Sequence, residues 1–170
     1  LPERLARAEA ERMAQVLIQV AGRAGRGRHP GKVLIQPRYP EHPLLQTLVH
    51  DGYEAFAEMA INERREAGLP PFAHQALIRA SSGNADAPGQ FLEQAARSIR
   101  NIAGSQVTIW GPVPAPMQRR AGKYHAHLLI QSVQRGALHS CLGAAIADLG
   151  ELKSAGKVRW SLDVDPMDLH

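Results

Sequence analysis

Leu69-Pro70-Pro71-Phe72-Ala73-His74-Gln75-Ala76-Leu77-Ile78-Arg79-Ala80 is the stretch on which the fold turns. Two successive prolines bar helix there and restrict the residue before them, so the chain divides near residue 69. Phe72 to Ala80 then reads as a strand, with Ala76, Ile78 and Ala80 on one face. Ser81 to Gly89 is a loop of Ser, Gly, Asn and Asp. Gln90 to Ala103 has helical spacing, with Phe91, Leu92, Ala95, Ile99 and Ile102 inward. Val107 to Trp110 and Lys123 to Gln131 are strands, Gln134 to Leu149 a helix, and Lys157 to Val164 a last strand. The order β-α-β-β-α-β is that of the split βαβ, ferredoxin-like fold. Four short strands backed by two helices close a core of this size.

Upstream of residue 69 the pattern is helical. Glu3 to Ala21 is rich in Ala, Glu, Arg and Gln, and Leu5, Ala8, Met13, Val16, Leu17 and Val20 form its apolar stripe. Lys32 to Gln36 reads as a short strand ended by Pro37. Glu41 to Gly68 predicts two helices split at Asp51-Gly52, the first using Leu44, Leu45, Leu48 and Val49, the second Tyr53, Phe56, Ala57, Ala60 and Ile61. Gly68 suits the turn after a helix end.

The chain has 170 residues, 44% of them hydrophobic and 21% charged, which excludes wholesale disorder. A net charge of +4 is compatible with a polyanionic partner without demanding one. With 5% aromatic residues, a broad base-stacking platform is not expected. One cysteine, Cys141, excludes an internal disulfide and any cysteine-based zinc cluster within the chain, and its apolar helical setting reads as core. No apolar run is long enough to span a membrane and no basic-then-apolar leader opens the chain, so a cytoplasmic protein is expected.

Chemistry concentrates in Gln19-Val20-Ala21-Gly22-Arg23-Ala24-Gly25-Arg26. Two guanidinium groups, planar forks suited to phosphate oxygens, stand three residues apart between glycines that let the backbone turn and approach a ligand. The arrangement suits charge neutralisation on a phosphoryl group in transit. It also reads as a helix ending in a glycine turn with solvated arginines. A second cationic cluster, Arg119, Arg120 and Lys123, occupies Gly111 to Lys123, which reads as a loop too long for a simple hairpin, with Trp110 and Tyr124 at its base. Such a loop can grip a phosphate backbone while a ring stacks on a base, or it is a solvated basic loop whose aromatics belong to the core. His125 and His127 share a strand face without a third ligand, so no metal is expected there. Asp163, Asp165 and Asp168 crowd the C-terminus, where a strand closed by Pro166 accounts for them.

The Gln19–Arg26 segment resembles the sixth motif of superfamily 2 helicases, Gln-x-x-Gly-Arg-x-Gly-Arg, at all five fixed positions. The resemblance extends to the PriA family of replication-restart DNA helicases. It is carried by Gly31-Lys32-Val33-Leu34-Ile35-Gln36, Pro40-Glu41-His42-Pro43, Leu69-Pro70-Pro71-Phe72, Gly111-Pro112-Val113-Pro114-Ala115, Gly122-Lys123-Tyr124 and Asp163-Val164-Asp165-Pro166, in order along nearly the whole chain.

The resemblance implies that residues 1–40 are the end of a RecA-like helicase lobe, 41–68 connecting helices and 69–170 the family's C-terminal domain. It implies that Arg26, as the finger, and Arg23 reach the β- and γ-phosphates of ATP with Mg2+, that Gln19 orders the site and that Gly22 shapes it. It further implies ATP-driven 3′-to-5′ unwinding at stalled forks and primosome assembly. The implied partners are forked and single-stranded DNA, single-stranded DNA-binding protein and other primosomal proteins. DNA would be held through Arg119, Arg120, Lys123 and Tyr124, and the acidic tail of single-stranded DNA-binding protein through Arg135. The family's zinc is expected outside this chain. No Gly-x-x-x-x-Gly-Lys-Ser/Thr loop occurs, so half an ATP site at most is expected, and the fragment alone should be inactive. The rival reading is a stand-alone ferredoxin-like module for nucleic acid or protein. An independent nucleotide-binding enzyme would need the missing phosphate loop.

Overall fold

The computed structural model describes residues 13–20, 23, 33–37 and 39–167. The chain forms two compact units, with the boundary between Ala67 and Gly68.

In the first unit, residues 13–20 are helical (α1), followed by α2 (Pro43–His50) and α3 (Gly52–Glu66). Pro43 stands in the first turn of α2, where its missing N–H costs nothing. Gly52, at φ +87°, makes the break between α2 and α3. Ala14, Leu44, Phe56 and Ala60 form the core, with Tyr53 stacked on Phe56 at 6.1 Å. The expected stripe on α1 is corrected: Ala14 is buried, whereas Met13, Val16 and Val20 are exposed. Two short helices offer Leu44, Phe56 and Ala60 as a surface, too little to cover the whole stripe. Val49 and Tyr53 are likewise exposed. The strand expected at Lys32–Gln36 does not form over residues 33–36, because the described residues of this unit contain no strand to pair with it.

The second unit runs β1 (His74–Ser82), α4 (Ala87–Ile102), β2 (Val107–Arg120), β3 (Lys123–Ser132), α5 (Arg135–Glu151), a 3₁₀ turn (Ala155–Lys157) and β4 (Arg159–Val164). The sheet order is β2-β3-β1-β4 with every neighbouring pair antiparallel. Each helix therefore connects two strands separated by one intervening strand. In the β1–β3 register Ile78 faces Leu128 and Ala80 faces Ala126. Strand alternation then sends Ala76, Ile78, Ala80, Ala126, Leu128 and Ile130 to one side. There they pack with Phe91, Leu92 and Ile99 of α4 and with Leu138, Leu142 and Leu149 of α5. Trp160 of β4 lies 5.7 Å from the Phe91 ring. Cys141 is buried in this core, and burial pushes its thiol pKa up, as expected for an inert structural cysteine. Ile102, expected inward, is exposed at the end of α4.

The opposite face carries Gln75, Leu77, Arg79, His125, His127 and Leu129. Gly68 to Ala73 is tied to it: Gln75 Nε2 donates to Gln131 Oε1 at 2.9 Å, and Gln131 Nε2 donates to the Gly68 carbonyl at 2.8 Å. Arg79 pairs with Asp163 of β4 at 2.8 Å.

The largest departure from expectation is the Gly111–Lys123 loop, which is a hairpin. β2 continues to Arg120, and Ala121 (φ +50°) and Gly122 (φ +75°) turn the chain into β3. Positive φ at both central residues is the requirement of a two-residue type I′ turn. Pro112, Pro114 and Pro116 interrupt the strand pattern in the sequence, but β2 is an edge strand, where a missing N–H is tolerated. Gly111 sits at φ +103°, and a Cβ there would stand 3.0 Å from the Val113 nitrogen and 3.1 Å from the His127 carbonyl oxygen. Gly111→Ala is therefore expected to destabilise the chain by at least about 1 kcal/mol in urea unfolding. An unchanged midpoint would contradict this backbone.

Candidate nucleic-acid interface

The hairpin concentrates positive charge by register. Arg119 faces Tyr124, and Arg120 faces Lys123, on either side of the turn. The Arg119 guanidinium carbon lies 5.6 Å from the Tyr124 ring centroid, a cation–π contact that braces the base of the tip. Arg120 and Lys123 set like charges directly opposite each other, an unfavourable pairing in isolation. Among the described residues none of Arg119, Arg120 and Lys123 has a carboxylate partner within 4.0 Å. An anion seated between Arg120 and Lys123 would relieve their repulsion, and all three cations are exposed. The geometry thus offers a phosphate-sized charge sink on a protruding, sheet-anchored arm.

The sequence grouped Arg119, Arg120, Lys123 and Tyr124 together, and the structure brings them together on the hairpin tip. Trp110 stands apart, facing Leu129 further along β3. Arg135 begins α5 and is exposed, with Asp165 Oδ2 at 3.8 Å, a solvent-screened pair worth little. Gln19 and Arg23 are each helical and exposed, and Arg23 is helical beyond the expected end at Ala21; residues 21 and 22 lie outside the described residues. Gly22 and Arg26 lie outside the described residues, as does Asp168. No group of three His, Cys, Asp or Glu side chains able to hold a metal ion occurs among the described residues, and no helix among them is long and apolar enough to cross a membrane.

Arg79 and Arg159 were missed. Both lie on the sheet face away from α4 and α5, Arg79 opposite His127 and Arg159 opposite Ser81. The signal was available: alternation from Ala76, Ile78 and Ala80 sends Arg79 to the other side of the sheet.

Residues 65–167 match the family described as Primosomal protein N C-terminal domain. The chain is similar to Replication restart protein PriA of Haemophilus influenzae, at 44% identity over 94% of this chain and 22% of the relative. It is also similar to Replication restart protein PriA of Synechocystis, at 31% over 94% of this chain and 19% of the relative, and of Bacillus subtilis, at 32% over 92% and 20%. The chain spans about a fifth of the length of these relatives. With a match over most of its length to that domain and relatives of one name over nearly all of it, the chain belongs to the primosomal protein N C-terminal domain family.

Proposed function

We propose that the chain is the C-terminal part of an ATP-dependent 3′-to-5′ DNA helicase that restarts replication and assembles the primosome, working in the cytoplasm. Its own contributions are a DNA-holding domain and one wall of an ATP site. The observation that carries the reading is the tip of the β2–β3 hairpin, where Arg119, Arg120 and Lys123 stand exposed without carboxylate partners among the described residues. The fold of residues 69–170 is ferredoxin-like in this reading, supported by the β2-β3-β1-β4 order and its antiparallel neighbours. Residues 1–40 are the end of a RecA-like lobe and 41–68 connecting helices. That assignment is supported by the helicase-type pattern at Gln19–Arg26.

ATP with Mg2+ supplies the phosphoryl chemistry on polypeptide beyond this chain. Gln19 and Arg23 suit an approach by phosphate oxygens, each being exposed. Arg26 acts as the finger, and Gly22 lets the backbone come close. The family's zinc is held on polypeptide outside this chain in this reading, since the chain's one cysteine, Cys141, is buried and cannot form a cysteine-based cluster alone. Arg135 receives the acidic tail of single-stranded DNA-binding protein, supported by its exposure at the start of α5.

In fluorescence anisotropy with forked and single-stranded DNA, Arg119→Ala/Arg120→Ala is expected to weaken binding and to lower the salt slope by about one for each phosphate no longer neutralised. Equal binding at two salt concentrations would remove the hairpin from the account. A steady-state assay of the chain with single-stranded DNA should give no ATP turnover. In the longer protein, Arg23→Ala/Arg26→Ala should reduce turnover by roughly a thousandfold or more. Turnover by the chain alone, or full activity of the double variant, would refute the ATP assignment.

A further inference from the structure

The second register break in β2 is unusually wide. Pro114 pairs with Ala126 and Arg119 with Tyr124, so residues 115–118 of β2 oppose the single residue His125 of β3. Such an excess bends the strand away from its partner. Beneath it lies a cleft of about 500 Å3. Its lining is of two kinds: Ala115, Pro116 and Met117 are apolar, while Arg79, Arg120, His125 and His127 are cationic or polar. Met117 is 65% exposed at the mouth, a large apolar side chain with no core to fill.

Charge on this face is one-sided. Asp163 is the acid on the paired strand positions, and it is held by Arg79 at 2.8 Å. Arg120 at the cleft, Lys123 opposite it and Arg159 on β4 remain as cations of this face, at its exposed edges. A lining part apolar and part cationic fits an amphipathic anion whose planar apolar part lies on Met117 and Pro116 while its phosphate meets Arg120. The volume lies within the range of small-ligand clefts. Lys123, opposite Arg120, continues the positive charge on the face of the cleft, whereas Arg119 pairs with Tyr124 on the other face of the hairpin; an occupant with a further phosphate would meet Lys123.

We propose that this cleft takes one nucleotide of a single DNA strand, its base on Met117 and Pro116 and its phosphate on Arg120, with His125 closing the floor. The proposal rests on the DNA-binding reading above and gives it a strand preference. Recognition is by shape and charge, so it tolerates any base.

The test uses the whole 170-residue chain. Met117→Ala/His125→Ala, folded by circular dichroism, is titrated by anisotropy against an oligothymidylate and a blunt duplex of equal length. Affinity for the single strand is expected to fall about five- to hundredfold, with duplex binding essentially unchanged. Unchanged single-strand binding, or an equal loss on duplex, overturns the cleft while the hairpin reading stands. Wild-type chain that binds neither DNA overturns both. As a second measurement, thymidine dinucleotide should shift backbone amide resonances of Ala115, Met117 and His125. Shifts confined to other residues overturn the proposal.

Discussion

Ile78 faces Leu128 across the pairing of β1 with β3, and which side chains meet the helices and which face away follows from that register. Even-numbered residues of both strands meet α4 and α5; odd-numbered ones, Arg79, His125 and His127 among them, face away. A slip of one residue would carry the Arg79 guanidinium into the layer occupied by Phe91 and Leu138 and take Ile78 out of it. Burying an unpaired charge costs far more than any single side-chain contact returns, so the alternative register is strongly disfavoured. The same alternation aligns Asp163 with Arg79 and places His125 beneath the β2 bulge.

The hairpin extends this logic to the edge of the sheet. Its prolines withhold hydrogen-bond donors, which only an edge strand tolerates and which also blunts the edge against pairing with another chain. Ala121-Gly122 fixes which residues stand opposite one another, and thereby sets Arg120 against Lys123. A like-charge pair at a rigid tip is a local conflict in folding that a polyanion resolves. Local rules broken without folding benefit concentrate where a protein meets its partner.

The element order of the second unit was readable from the sequence because its strands and helices carry clean periodicities of two and 3.6, as in Ala76-Ile78-Ala80 and Phe91-Leu92-Ala95-Ile99. The hairpin was not, since prolines at 112, 114 and 116 mask an edge strand and an alanine at positive φ gives no turn signal. The α1 stripe misled for a different reason. Periodicity announces an apolar face, whereas burial depends on which surfaces are present to cover it, and among the described residues of α1 only Ala14 is fully enclosed. The cationic cluster 119–124 was legible as composition, but its like-charge opposition and the cleft beside it depend on pairing register, which only tertiary structure supplies.

Cross-strand backbone NOEs in the NMR spectrum of the chain test the central constraint most directly. Contacts linking the Ile78 and Leu128 pair and the Ala80 and Ala126 pair are predicted from the β1–β3 register. NOEs displaced by one residue, linking Arg79 with Leu128, would contradict it and with it the placement of Arg79 and His125 on the side away from the helices.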